Sequence, residues 1–225
     1  MESLMIEQTI LHGEDFEAMP DRYRATLINS ISGFKSLGLI GTVNDKGITN
    51  IAVFNSIVHI GASPPLIGMV FRPDTVRRHT LENIVSSKNY TINQVHASML
   101  SKAHLASAKF DDDASEFAGC NFTEEYSDIG KAPYIKESTV KMMLEYRMHM
   151  PIPLNGTIFL IGEIIEIRAP KHIINSDGFA DIHQAGTLTV AGLDAYYSTN
   201  FIDRFAYARP NMPITSLMNT SEDSR

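Results

Sequence analysis

The chain has 225 residues, 44% apolar and 20% charged, enough for one large domain with a buried core and ordinary for a soluble globular protein. Its formal net charge of −7 argues against non-specific binding to nucleic acid or anionic membrane, both of which reward a basic surface. A single cysteine, Cys120, excludes an intrachain disulfide and a cysteine-rich metal site. The stretch MESLMIEQTILHGEDFEAMP lacks the basic start and long apolar run of a signal peptide, and no apolar segment approaches the ~20 residues that span a bilayer, so the expectation is a cytoplasmic protein.

In chain order, Pro20 followed by DRYRATLINSI predicts a short helix with the proline near its first turn. Leu37 to Val43 predicts a strand, Asn44-Asp45-Lys46-Gly47 a turn, and Ile48 to Ile60 a long strand that completes a hairpin. After Ser63-Pro64-Pro65, the continuous apolar run LIGMVF (66–71) predicts a strand buried on both faces. A short helix is expected over 80–86, a strand over 89–95, and a helix over 98–110 with Ser98 as its N-cap. Residues 111–120 read as a loop with a helical turn, their three aspartates as a solvated acidic surface. Two strands follow, 139–149 and 157–168, with an Asn155-Gly156 turn signal between them. The remainder is expected to be loop-rich, ending in a partly disordered Pro/Ser/Asn tail. Short antiparallel strands with small helices between them point to a mainly β barrel. No GxGxxG follows a strand, which argues against a Rossmann domain.

Three features bear on chemistry. Arg77, Arg78, His79 and Thr80 cluster where a strand gives way to a helix. Free backbone N–H groups and the positive end of a helix favour an anion there, and arginine's planar fork matches phosphate oxygens. The alternative is a solvated helix end. Asn55 and Ser56 interrupt the apolar run IAVFNSIVHI: they lie on a solvent face, mark a bulge, or present a polar group to a cleft. Period-two alternation sends their side chains to opposite faces unless the strand bulges. Eight histidines are present without HExxH or CxxC spacing, so no metal site is expected. Cys120 reads as a small buried hydrophobe rather than a nucleophile.

The ordered series GTVNDKGITNIAVFNS, Ser63-Pro64-Pro65-Leu66, LIGMVF, Arg72-Pro73, RRHTLENI and NYTINQV, continued by HLASAKF, APYIKESTVKMMLEYRM, TIFLIGEIIEI and LDAYY, resembles the flavin reductase-like FMN-binding split-barrel family, which includes the flavoredoxins. The likeness covers residues 25–208, leaving 1–24 as an N-terminal extension and 209–225 as a C-terminal tail. It implies an antiparallel six-stranded Greek-key split β-barrel with peripheral helices, forming a homodimer with a flavin near each side of the interface. It also implies that Asn55 and Ser56 line the flavin ring and ribityl chain. By the same likeness Arg72, Thr75, Arg78, His79 and Thr80 hold the FMN phosphate. Lys109 corresponds to a stretch near the flavin, and Tyr196 and Tyr197 to a late aromatic segment that approaches it. The acidic stretch 111–113 and the run 171–191 have no firm counterpart in the family.

The function implied is an oxidoreductase that passes electrons from NADH or NADPH through FMN to a small-molecule, flavin or protein acceptor. The alternatives are an FMN-binding electron-transfer protein without nicotinamide turnover, and a non-enzymatic ligand-binding barrel. Because a flavin carries its own redox chemistry, no catalytic triad is required, and no catalytic residue is singled out.

Overall fold

The computed structural model of the chain describes residues 7–73, 78–111 and 114–218. Two helices, α1 (Gly13–Ala18) and α2 (Asp21–Ile31), precede the barrel, and neither buries a residue. Strand β1 (Lys35–Ser36) is followed by β2 (Gly38–Val43), β3 (Thr49–Phe54), β4 (Ile57–Ala62) and β5 (Pro65–Phe71). Helix α3 (His79–Ser87) and strand β6 (Asn89–Gln94) come next, then α4 (Leu100–Leu105) and α5 (Glu116–Gly119). The chain continues through β7 (Glu124–Ser127), β8 (Gly130–Ile135), β9 (Lys141–Ile152) and β10 (Thr157–Arg168), and ends with β11 (Thr189–Ala191) and β12 (Ala195–Tyr197).

The main sheet is antiparallel, in the order β3-β2-β6-β9-β10-β5-β4. β3 and β4 stand at its opposite edges, yet only Asn55 and Ser56 separate them in the chain. One bent run therefore joins the two edges of the seven-stranded sheet and closes it into a barrel. Turn chemistry sets the hairpins. At the β2–β3 turn, Asn44 Oδ1 accepts from the Lys46 and Ile48 amides (2.9 Å each), and Gly47 takes a left-handed φ of +81°.

Two apolar clusters fill the interior, and β2 separates them. Leu39 packs with Ile51, Val95, Phe117 and Ile135, while its neighbour Ile40 packs with Met69, Ile84, Tyr90, Leu144 and Leu160 on the other face. The strand buried on both faces is thus β2, not LIGMVF: Leu66, Ile67 and Val70 of β5 are only half-buried. The reason is position. β5 lies beside the edge strand β4, whereas the β7–β8 hairpin covers the outer side of β2 and β6, tied by Thr91 Oγ1 to the Pro133 carbonyl (2.7 Å) and by the Ile135 amide to Asn93 Oδ1 (2.9 Å).

The helix expected over 98–110 is shorter. A 3-10 turn at Ala97–Met99 leads into α4, and Ser98 does not cap it, its hydroxyl lying 3.0 Å from His96 Nδ1. The late region holds a second, three-stranded sheet in the order β1-β11-β12. The tail is described as far as Met218 and closes as a hairpin, with Phe205 bridged to Ser216.

Candidate functional site

The site is built along β3. At its start, Asn50 lies 3.2 Å from Thr80 Oγ1 in α3. With its amide turned so that the NH2 faces the neighbouring carboxylate, Asn50 donates to both Glu116 oxygens (3.2 Å each) and accepts from Thr80. Glu116 Oε2 also accepts from the Ile51 amide (2.8 Å). That amide points away from β2, so Glu116 caps the outer edge of β3. By the alternation of an antiparallel pair, the Val53 N–H and C=O face the same outer edge. Thr80 and Asn50 are both buried, which fixes the start of α3 against the start of β3.

At the other end of β3 the chain bends. Asn55 Nδ2 donates to the Gly192 carbonyl (2.8 Å) in the β11–β12 turn, and Ser56 Oγ donates to the Val70 carbonyl in β5 (2.8 Å) while its own carbonyl accepts from the Val70 amide (3.1 Å). These two residues are a kink, not a stretch of regular strand, so their side chains serve two different elements. Phe54 meets Phe71 edge-to-face with centroids 4.8 Å apart. The end of β5 therefore lies beside Phe54 and the start of α3 beside Asn50, and the segment between the two elements in sequence is residues 72–78.

Within that segment Arg72 is exposed, and the Arg78 guanidinium folds back so that Nε (3.3 Å) and Nη2 (3.1 Å) donate to the Pro73 carbonyl. Arg78 is the N-cap of the nine-residue helix α3, and its own side chain makes no capping hydrogen bond. The first-turn amides carry the partial positive charge of the helix end, and Arg78 stands beside them. This donor set fits a phosphate group. Thr75 and Arg77 lie outside the described residues.

A polar cleft of about 50 Å³ opens next to this point, lined by His79, Asn50, Asn83, Asp111 and Glu116 among others. Burial pushes the Glu116 carboxyl up to about 7, with the Ile51 amide opposing the shift. Cys120 nearby is pushed up to about 11 by burial and by the Glu116 charge. Behind them Thr49 Oγ1 bonds to Glu124 Oε1 (2.6 Å) and to Ser115 Oγ (2.7 Å).

The fold brings Asn55, Ser56, Arg72, Arg78, His79 and Thr80 to β3 and its flank. Lys109 lies exposed beyond α4, and no contact ties it to them. Tyr197 is on β12, its ring edge-to-face with Phe34 (4.9 Å), while Tyr196 hydrogen-bonds His104 Nδ1 (2.6 Å). That second sheet reaches the kink through Asn55 to Gly192 and Ser36 Oγ to the Ile57 carbonyl (2.9 Å). Sequence reasoning missed Asn50, Glu116 and Gly192. Asn50 was legible as a polar residue in an apolar run, whereas Glu116 gave no signal within an acidic stretch. Among the described residues, no three His, Cys, Asp or Glu side chains group to hold a metal, and no helix is long and apolar enough to cross a membrane.

A barrel closed by one kinked strand is the architecture of the flavin reductase-like split-barrel proteins. The flavin reductase like domain family matches residues 33–194, and the chain belongs to that family, a family of flavin-related oxidoreductases. A structure from Shewanella frigidimarina NCIMB 400, assigned as a flavin reductase with a split barrel domain, is 41% identical, with 89% of this chain and 100% of that one covered at a TM-score of 0.86. The nitrilotriacetate monooxygenase component B of Bacillus cereus shares the fold at 15% identity (88% and 98% covered, TM-score 0.78), and the 2-nitrobenzoate 2-nitroreductase NbaA of Pseudomonas fluorescens at 17% (91% and 98%, TM-score 0.76).

Proposed function

We propose that this chain is an FMN-dependent oxidoreductase that takes hydride from NADH or NADPH and delivers electrons to a small-molecule, flavin or protein acceptor. The observation that carries the reading is the juxtaposition along β3, where the start of α3 with Arg78 lies at one end and the Asn55–Ser56 kink at the other. Five residue steps from Asn50 to Asn55 span ~17 Å, long enough to seat a mononucleotide with its fused rings lengthwise. In this reading Arg72, Thr75, Arg78, His79 and Thr80 hold the phosphate, and Asn55, Ser56 and the outward backbone groups of Val53 orient the rings. When bound, the flavin supplies hydride acceptance and onward electron transfer, while the protein supplies binding and orientation. Lys109 and Tyr197 belong to the rim from which donor and acceptor approach. A homodimer is part of the proposal. It is supported by the outer face of β4 and β9, where Val58, Ile60, Met148 and Met150 stand exposed.

The test is an anaerobic visible spectrum of the purified protein before and after NADH, then NADPH. Bleaching of a flavin band supports the reductase and names the donor, whereas a flavin band that neither nucleotide alters replaces it with an electron carrier. Arg78→Ala is expected to weaken FMN binding by about 10- to 100-fold, the value of one charge-assisted contact. Unchanged affinity in a folded variant removes the phosphate assignment.

A further inference from the structure

The chain beyond β12 leaves the barrel as an arm. Among the described residues it is tied back by Arg204 Nη2 to Asp177 Oδ2 (2.8 Å), the Arg204 guanidinium over the Phe179 ring (4.0 Å), and Thr199 Oγ1 with His183 Nδ1 (3.0 Å). The arm has a definite shape of its own. The Ala206 amide donates to the Thr215 carbonyl (2.9 Å), the Leu217 amide to the Arg204 carbonyl (2.8 Å), and Ser216 Oγ to Asp203 Oδ1 (2.8 Å). These bonds close a hairpin around residues 204–217.

That hairpin holds large apolar side chains in water. Tyr207 is 91% exposed, Ile202 89%, Ile214 63%, Met212 60% and Phe205 59%. A two-stranded ribbon is marginal without something to pack on. An aromatic side chain alone presents ~150–250 Å², so the arm offers on the order of 800 Å² of apolar surface. That is of the same order as the ~800 Å² per partner of a standard stable interface.

We infer that the hairpin of residues 202–217 is a clasp that docks on a second copy of this chain. Area is the first argument. The second is self-complementarity: the same chain exposes Val58, Ile60, Met148 and Met150 on its barrel, so a twofold pair can match arm and barrel reciprocally and close without growing into a fibre. The clasp rests on the homodimer proposed above and adds the element that holds it.

Sedimentation equilibrium and subunit-exchange rates of the full chain, wild type against Ile202→Ser/Tyr207→Ser/Ile214→Ser, test it. The three side chains are exposed in the single chain, so the variant is expected to keep its circular dichroism. The expected result is a wild-type dimer, with at least tenfold weaker association and faster exchange in the variant. A wild-type dimer that the triple substitution leaves unchanged overturns the clasp and leaves the homodimer standing. A wild-type monomer at all concentrations overturns both. As a second readout, a photo-crosslinking residue placed at Tyr207 joins two chains if the clasp is correct, and a crosslink confined within one chain overturns it.

Discussion

Glu116 allows a sharp test of how the start of β3 is held. Its carboxyl is shielded from solvent, accepts from the Ile51 amide and adjoins Asn50, and burial pushes it up to about 7 from 4.5. The charged groups and titratable side chains around it include His79 and Asp111 across the cleft, Glu124 behind Thr49, and Cys120. A carboxyl that binds its proton more tightly when folded adds stability that is fully present below about pH 4.5 and is lost as pH rises through about 7. At 1.36 kcal/mol per pH unit, the difference between 4.5 and about 7 sets a ceiling near 3.4 kcal/mol. The group is only partly buried, so solvent screening reduces this to about 1.5 kcal/mol. Glu116→Gln keeps the shape and the acceptor for Ile51 but cannot ionise. Variant and wild type should therefore be nearly equally stable near pH 3.5, and the variant more stable by about 1.5 kcal/mol at pH 8.5. In urea, with a slope of ~3 kcal/mol/M, that is a midpoint shift of ~0.5 M. A difference that stays constant from pH 3.5 to 8.5, or favours the wild type at high pH, refutes the reasoning.

Two substitutions probe the barrel that positions the site. The Tyr90 hydroxyl is buried without a hydrogen-bond partner and faces Gly162, where an added Cβ would lie 2.2 Å from it. Tyr90→Phe should stabilise by about 1 kcal/mol, seen as a rise of ~2–4 °C in Tm, and a fall would mean that the hydroxyl has a partner in solution. Gly41 sits beneath the β7–β8 hairpin, where a Cβ would meet the Pro133 carbonyl at 2.3 Å and Thr91 Oγ1 at 2.5 Å. Because the first of these is backbone, Gly41→Ala should cost about 3 kcal/mol, measured by denaturant midpoint. A cost below ~1 kcal/mol would show that the hairpin is loosely seated.

What was legible in the sequence was local. Asn44 and Gly47 announce the β2–β3 turn because their chemistry acts within four residues, and the alternation in β9 and β10 likewise reads from neighbours. The burial of β2 on both faces did not read, because it depends on β7 and β8, which arrive some ninety residues later. Asn55 and Ser56 were visible as polar residues in an apolar run, but their partners, Gly192 and Val70, are set by the closure of the barrel. Glu116 was hidden altogether, since its role at the edge of β3 comes from a four-residue helix in a loop. The clustered cations at the start of α3 were the clearest site signal, as a helix start and its adjoining side chains are contiguous in the chain.

The two ends of the β3 site are held by different means, with a consequence for which changes each tolerates. The α3 end rests on a helix start, buried Thr80 and Asn50, and a carboxylate that caps a barrel strand; altering it disturbs packing that the barrel itself uses. The kink end is completed by Gly192 and by a sheet of three short strands whose aromatic rim, Phe34 and Tyr197, is 68% and 43% exposed. Side chains on that rim can be exchanged with little loss of buried area, so their replacement changes what meets the outer side of the site without unseating the barrel. Under the proposed reading, affinity for the cofactor is set by the first end. Discrimination between donors and acceptors is set by the second.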